Sequence, residues 1–166
     1  MHIETANISI GRSARDRGAD AAQPGLEGAV AALETFYCGF NSSRPELIGR
    51  SWAGGPEVQL NNPLGGILRG ADAIRQLYER VLTGRARLWV EFFDVVVYST
   101  AEVVVFAGRE RGECALDGEV VKLSIRTSRV FAFFADEGWR QVHHHGSIDD
   151  PDALGAYQQL IARSKS

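Results

Sequence analysis

Three consecutive histidines, His143-His144-His145, follow two arginines, Arg109 and Arg129, and one carboxylate, Asp94, in stretches rich in Val, Phe and Thr. These types can recognise an anion, move a proton or hold a metal. A guanidinium offers carboxylates a rigid fork of donors. An imidazole exchanges its proton near neutral pH, and a carboxylate in an apolar setting can serve as a general base. Residues two apart on a strand lie about 6.6 Å apart on one side, so His143 and His145 suit a metal in spacing. Zinc wants three or four ligands, and Asp149 and Asp150 read as loop, so no metal is expected.

Strands must position these groups. Leu88 to Tyr98, Glu102 to Cys114, Glu119 to Phe134 and Trp139 to Ser147 carry β-branched and aromatic residues between short turn signals, which predicts a four-strand antiparallel meander. Helices come first. Leu26, Val30, Leu33, Phe36, Tyr37 and Phe40 recur at helical spacing and predict a helix ending near Asn41. Pro45 opens a short helix to about Trp52, and Val58 to Pro63 reads as a brief strand. A third helix follows Gly70 and stops at Gly84, while Asp150-Pro151 caps a closing helix through Ile161. Helices followed by a curled sheet make the α+β class. Residues 1–24, poor in large apolar groups, are expected to be a flexible arm, and 25–166 one domain ending in a helix.

Turn chemistry then assigns faces. Leu116-Asp117-Gly118 and Asp136-Glu137-Gly138 suit three-residue hairpin loops, and Ser99-Thr100 a two-residue loop. That register puts Arg109 opposite Ile125, Arg129 opposite His145 and Phe131 opposite His143, with Asp94 and Gln141 on the same apolar wall. Two arginines against one aspartate leave positive charge over, which favours an anionic or carboxylate ligand. In the alternative the protein pairs its own charges, Asp94 satisfying Arg129 with help from Glu34 or Glu91. Tyr37, Trp52 and Tyr78, on helical faces turned to the sheet, complete the expected ligand walls beside Arg109, Arg129, His143 and His145. A catalytic version uses Asp94 as general base with His143 or His145, while Arg129 steadies the developing oxyanion. The opposite sheet face is also apolar, so a second subunit is expected to cover it.

With 166 residues, 45% apolar and 23% charged, the chain has the make-up of one globular domain. A net charge of −3 argues against nucleic acid as a partner, and no apolar run is long enough for a membrane span. Cys38 and Cys114 are too few for a disulfide-built scaffold or a four-cysteine zinc site, which points to the cytoplasm. No nucleotide fingerprint, phosphate loop or Ser-His-Asp order occurs, so no cofactor is expected.

Thr127-Ser128-Arg129-Val130 and the string Gly138 to Ser147, with Asn62-Pro63-Leu64-Gly65-Gly66 and Arg69 to Ile74, resemble the nuclear transport factor 2-like superfamily, in particular its SnoaL-like branch. The resemblance covers about residues 26 to 148. The C-terminal part is also similar to the association domain of calcium/calmodulin-dependent kinase II, whose pocket arginines match Arg109 and Arg129. A third such arginine is Gly146 here. The resemblance implies a cone-shaped, cystatin-like fold in which a curved sheet and helices enclose a cavity, commonly in a dimer. Members include isomerases, dehydratases, polyketide cyclases and non-catalytic binding modules. The expectation is therefore a homodimeric small-molecule-binding domain. An enzyme using Asp94 and a histidine and an oligomerising association module are the alternatives.

Overall fold

The computed structural model describes residues 1–164, so the last two of the expected 25–166 domain lie outside it. The elements are β1 (His2–Ala6), a 3₁₀ turn (Asp20–Ala22), α1 (Leu26–Asn41), α2 (Pro45–Ser51), β2 (Gln59–Asn61), β3 (Ile67–Arg69), α3 (Ala71–Thr83), β4 (Arg87–Ser99), β5 (Val103–Leu116), β6 (Glu119–Phe134), β7 (Gly138–Ser147) and α4 (Pro151–Arg163). The curved, unclosed sheet runs β1-β4-β5-β6-β7-β2-β3, antiparallel throughout except where β2 joins β7. Helices close its concave side into a cone. Ala29, Ala32, Leu33, Phe36 and Tyr37 form the buried stripe of α1, which packs on β4 and β7. The core continues through Phe92, Phe106, Phe131 and Trp139 to Leu160 of α4. Asp150 starts α4 as its sequence predicts, its Oδ1 accepting the N–H groups of Asp152 and Ala153.

Two local features depart from expectation. Residues 1–24 are laid onto the fold: β1 extends the sheet beside β4, Ile10 is buried and bonded to Phe92, and Arg17 bonds Asp20. Edge pairing and one anchoring isoleucine supply the order that composition alone does not reveal. Strand β3, bonded to β2 across the loop 62–66, also goes unforeseen, because three residues are too few for a periodic signal.

The larger departure is register. The β5–β6 loop has two residues, Asp117-Gly118, both at positive φ, which pairs Leu116 with Glu119. Such a primed turn matches the twist of the flanking strands. Relative to a three-residue loop, the pairing slips by one. Glu110, rather than Arg109, therefore faces Ile125 and shares the inner face with Arg129. A bulge between Val130 and Phe131 leaves Val142 unmatched and pairs Arg129 with His144, turning His144 inward and His143 and His145 outward. A second bulge, at Asp94 with its φ of 55°, turns that carboxylate away from the core.

Candidate functional site

Arg129 sits at the bottom of the cone, and α1, β5 and β7 all reach it. Its Nε donates to Tyr37 Oη at 3.0 Å, Nη1 to Gln141 Oε1 at 3.0 Å and Nη2 to Glu110 Oε1 at 2.9 Å. The guanidinium also lies over the Phe36 ring, 3.9 Å from its centroid. Both partners of the ion pair are almost wholly buried, at 3% and 4% side-chain exposure. Such a pair persists only when it is well hydrogen-bonded, and Tyr37 Oη supplies a further donor to Glu110 Oε1 at 2.5 Å. Both hydrogen bonds that the Glu110 carboxylate accepts from side chains land on Oε1. Burial alone would lower the Arg129 pKa, but the adjacent Tyr37 and Glu110 more than reverse it, and the group stays above its ordinary value. Burial pushes the Tyr37 hydroxyl well up and that of Tyr78 up to about 12.

Above this cluster lies a cavity of about 60 Å³, walled by apolar residues of α3, β4 and β6 and reached by Tyr78, Glu110, Arg129, His144 and Tyr157. By the measure of about 10–15 Å³ per water, it takes roughly four to six heavy atoms. Leu64 and Tyr157 also line it, and Gln158 Nε2 beside them donates to the Leu64 carbonyl. His144 is the unsatisfied group: it is 3% exposed, and neither ring nitrogen has a hydrogen-bond partner. Thr127 Oγ1 and Gln141 Nε2, on the same two strands, are likewise buried and unpartnered. Burial, and after it the Arg129 charge, hold the His144 pKa far below the usual imidazole range. The ring is therefore neutral at neutral pH, with one donor and one acceptor to offer.

Of the expected ligand walls, Tyr37, Tyr78 and Arg129 do converge. Trp52 is buried but lies away from this cavity, bridging Gln141 at the end of α2. Arg109 and Asp94 meet at 3.2 Å, yet both side chains point into solvent from the outer face of the sheet. His143 and His145 also face outward, with His145 Nδ1 3.2 Å from Asn61 Nδ2. The excess of positive charge expected on the inner wall is absent, since a single arginine is there and Glu110 balances it. Glu34 and Glu91 pair with Arg17 and Arg111 instead. At Gly146 a Cβ would stand 3.0 Å from the Pro63 ring, so a third arginine there would require that ring to shift. Sequence reasoning missed Glu110, Gln141 as an arginine ligand, His144 and Tyr157. For Glu110 the signal was present: Asp-Gly between alternating apolar residues is the strongest two-residue hairpin signature.

The SnoaL-like domain family matches residues 52–151. No curated protein matches the chain. Among solved structures, a candidate calcium/calmodulin-dependent protein kinase type II association domain from Thiobacillus denitrificans is 25% identical, with a TM-score of 0.58 over 73% of this chain and 94% of that one. A candidate dehydratase of the nuclear transport factor 2-like family from Streptomyces avermitilis is 22% identical (TM-score 0.60, 70% and 89% covered). An uncharacterized protein with a cystatin-like fold from Caulobacter vibrioides is 20% identical (TM-score 0.60, 88% and 98% covered).

Proposed function

Because this chain belongs to the SnoaL-like domain family, we propose that it binds one small molecule, with an apolar body and an uncharged hydrogen-bonding head. The observation that carries this reading is His144, a neutral ring with two unpartnered nitrogens in the wall of an otherwise apolar cavity. A buried donor and acceptor left unmade cost about 1–3 kcal/mol each, which a ligand carbonyl or hydroxyl would recover. A carboxylate ligand is disfavoured, since Glu110 already cancels the Arg129 charge and a second anion would be buried uncompensated. Butanone, butanol and butyrate match the cavity in size. Amide shifts around His144 should saturate with the two neutral probes, fail with butyrate, and vanish in a folded His144→Leu protein. Tighter binding of butyrate would end this reading.

A proton-transfer enzyme is the second reading, favoured by the hydrogen-bonding pattern of Glu110. With Oε1 anchored by Arg129 and Tyr37, Oε2 can take a proton from carbon beside a carbonyl whose oxygen His144 N–H holds. The dehydratase-like neighbour supports the fold for this chemistry and no more. In D2O, butanone should exchange its α-protons faster with the wild type than with Glu110→Gln; equal rates would remove the base. We further place the protein in the cytoplasm, where the free thiols of Cys38 and Cys114 are at home, and as a homodimer joined through the outer sheet face, where Tyr98 and Val103 are exposed. Light scattering at the mass of one 18.1 kDa chain would refute the dimer, and a much larger ring would favour the association role.

A further inference from the structure

The described residues enclose a second cavity that shares no wall with the first. It measures about 90 Å³ and lies under the N-terminal segment, with Gly18 and Ala21 as one side, Ala32 and Thr35 of α1 as another, and Arg50, Ser51, Trp139 and Arg140 as the rest. Most of these walls precede residue 52, where the family match begins. We propose that this cavity is a binding site for a small oxyanion, held between Arg50, Arg140 and the indole N–H of Trp139.

A count of donors and acceptors leads there. Trp139 is completely buried, and its Nε1–H donates to nothing, which is rare for a buried donor and marks a missing acceptor. Ser51 Oγ already donates to the Leu47 carbonyl, and Thr35 Oγ1 donates to the Ala31 carbonyl while accepting the Arg17 N–H. The hydroxyl protons are thus committed. What the walls still offer is the indole N–H and the spare N–H groups of two guanidinium ions. Arg140 spends Nη1 on the Trp139 carbonyl at 2.9 Å, and Arg50 spends Nη2 on Asp16 at 3.0 Å. Donors without matching acceptors, two of them cationic, select an anion.

The carboxylates nearby set the competition. Asp16 pairs with Arg50 and Glu137 stands 3.6 Å from Arg140, with side chains 35% and 56% exposed. Asp20 and Glu34 are held by Arg17. Ion pairs this open to water contribute about 0–1 kcal/mol, so Glu137 can turn outward at little cost when an oxyanion enters. Asp16, whose Oδ1 keeps the Gly18 N–H at 3.0 Å, has only its Oδ2 contact with Arg50 to give up. The buried indole N–H has no such alternative and gains its first partner. Phosphate, sulfate and carboxylate share the chemistry required.

Three tryptophans give three indole signals, and Trp139→Phe identifies its own. Sodium phosphate, sulfate and acetate are titrated separately into the ¹⁵N-labelled full chain, with ionic strength held constant by sodium chloride. The Trp139 indole resonance should shift saturably while those of Trp52 and Trp89 stay still, and the oxyanion that saturates first names the source. Arg50→Gln/Arg140→Gln should weaken that binding at least tenfold. If the double variant does not fold, Arg50→Gln alone, at a 60% exposed side chain, should weaken it at least threefold. The site is overturned by a resonance that no oxyanion moves, by one that chloride moves equally, or by binding that survives the arginine substitutions unchanged.

Discussion

Two arginine–carboxylate pairs share strand β5 and lie on opposite faces of the sheet, one reaching β6 and the other β4. Arg129 and Glu110 meet at 2.9 Å inside the cone, and Arg109 and Asp94 meet at 3.2 Å outside it. The distances differ by a few tenths of an ångström. Exposure differs by more than an order of magnitude, from 3% and 4% inside to 64% and 65% outside. At similar separation, the attraction between unit charges scales inversely with the effective dielectric, about 80 in water and about 20 near protein. Burial also removes the option of hydrating a charge that has lost its partner. The inner pair therefore builds the cavity wall and fixes its polarity. The outer one decorates a surface, although residue type alone makes the two look alike.

Arg129→Met should show this most strongly. It leaves the Glu110 carboxylate buried with only Tyr37 as donor, and urea unfolding should reveal a loss of about 3–5 kcal/mol. Arg129→Met/Glu110→Met removes both charges and should regain most of that loss, because well-packed apolar residues replace buried ion pairs at little cost. A single variant within about 1 kcal/mol of wild type would show that the inner pair is wetter than its burial implies.

His144 sharpens the same contrast through pH. Its folded pKa is depressed by burial first and by Arg129 second, so below the ordinary imidazole value the unfolded chain binds a proton that the folded chain refuses. Stability should then fall as pH drops below about 6.5, by up to about 1.4 kcal/mol per pH unit for this one group. His143, shifted the same way by burial and by His145, adds to the slope. His144→Leu should flatten the profile of unfolding free energy between pH 7 and 5 relative to wild type. It should leave stability at pH 7 unchanged or higher, since two unsatisfied polar atoms are removed. An unchanged pH slope would mean that the ring is solvated.

The same parity logic explains what was legible in the sequence. Helix limits were readable where a cap or breaker stands at the end: Pro45 opens α2, Asp150-Pro151 opens α4, and Gly84 follows α3. The four long strands were readable from composition, and Arg129, Tyr37 and Tyr78 were placed in the interior from their own elements. Which neighbours joined them was not, because side chains alternate with period two and one displaced residue reverses every assignment beyond it. One two-residue loop exchanged Glu110 for Arg109, and one bulge at Val142 exchanged His144 for His143 and His145. A bulge has no strong sequence signature, and Val142 sits in an unbroken strand pattern. Asp94 shows the limit from the other side: it does join Arg109 on one face, as read, but the two-residue loop turns Arg109 outward and a bulge turns Asp94 out with it.

Arg109→Ala should have the smallest effect. The guanidinium bonds one exposed carboxylate, Asp94, and its removal leaves that carboxylate in water, where hydration replaces the lost partner. Exposed pairs of this kind contribute about 0–1 kcal/mol, so the unfolding free energy should change by less than about 0.5 kcal/mol, the usual range for surface substitutions. Butanone binding should not change at all, since Arg109 is no part of the cavity wall. The pair on the outer face is also the more salt-sensitive of the two, because solvent-exposed charges are screened within about 8–10 Å at ordinary ionic strength. What small effect Arg109→Ala has should therefore disappear in molar salt, while that of Arg129→Met persists. If Arg109→Ala cost as much as Arg129→Met, the subunit interface proposed on the outer face would have to extend from Tyr98 and Val103 over this pair and desolvate it.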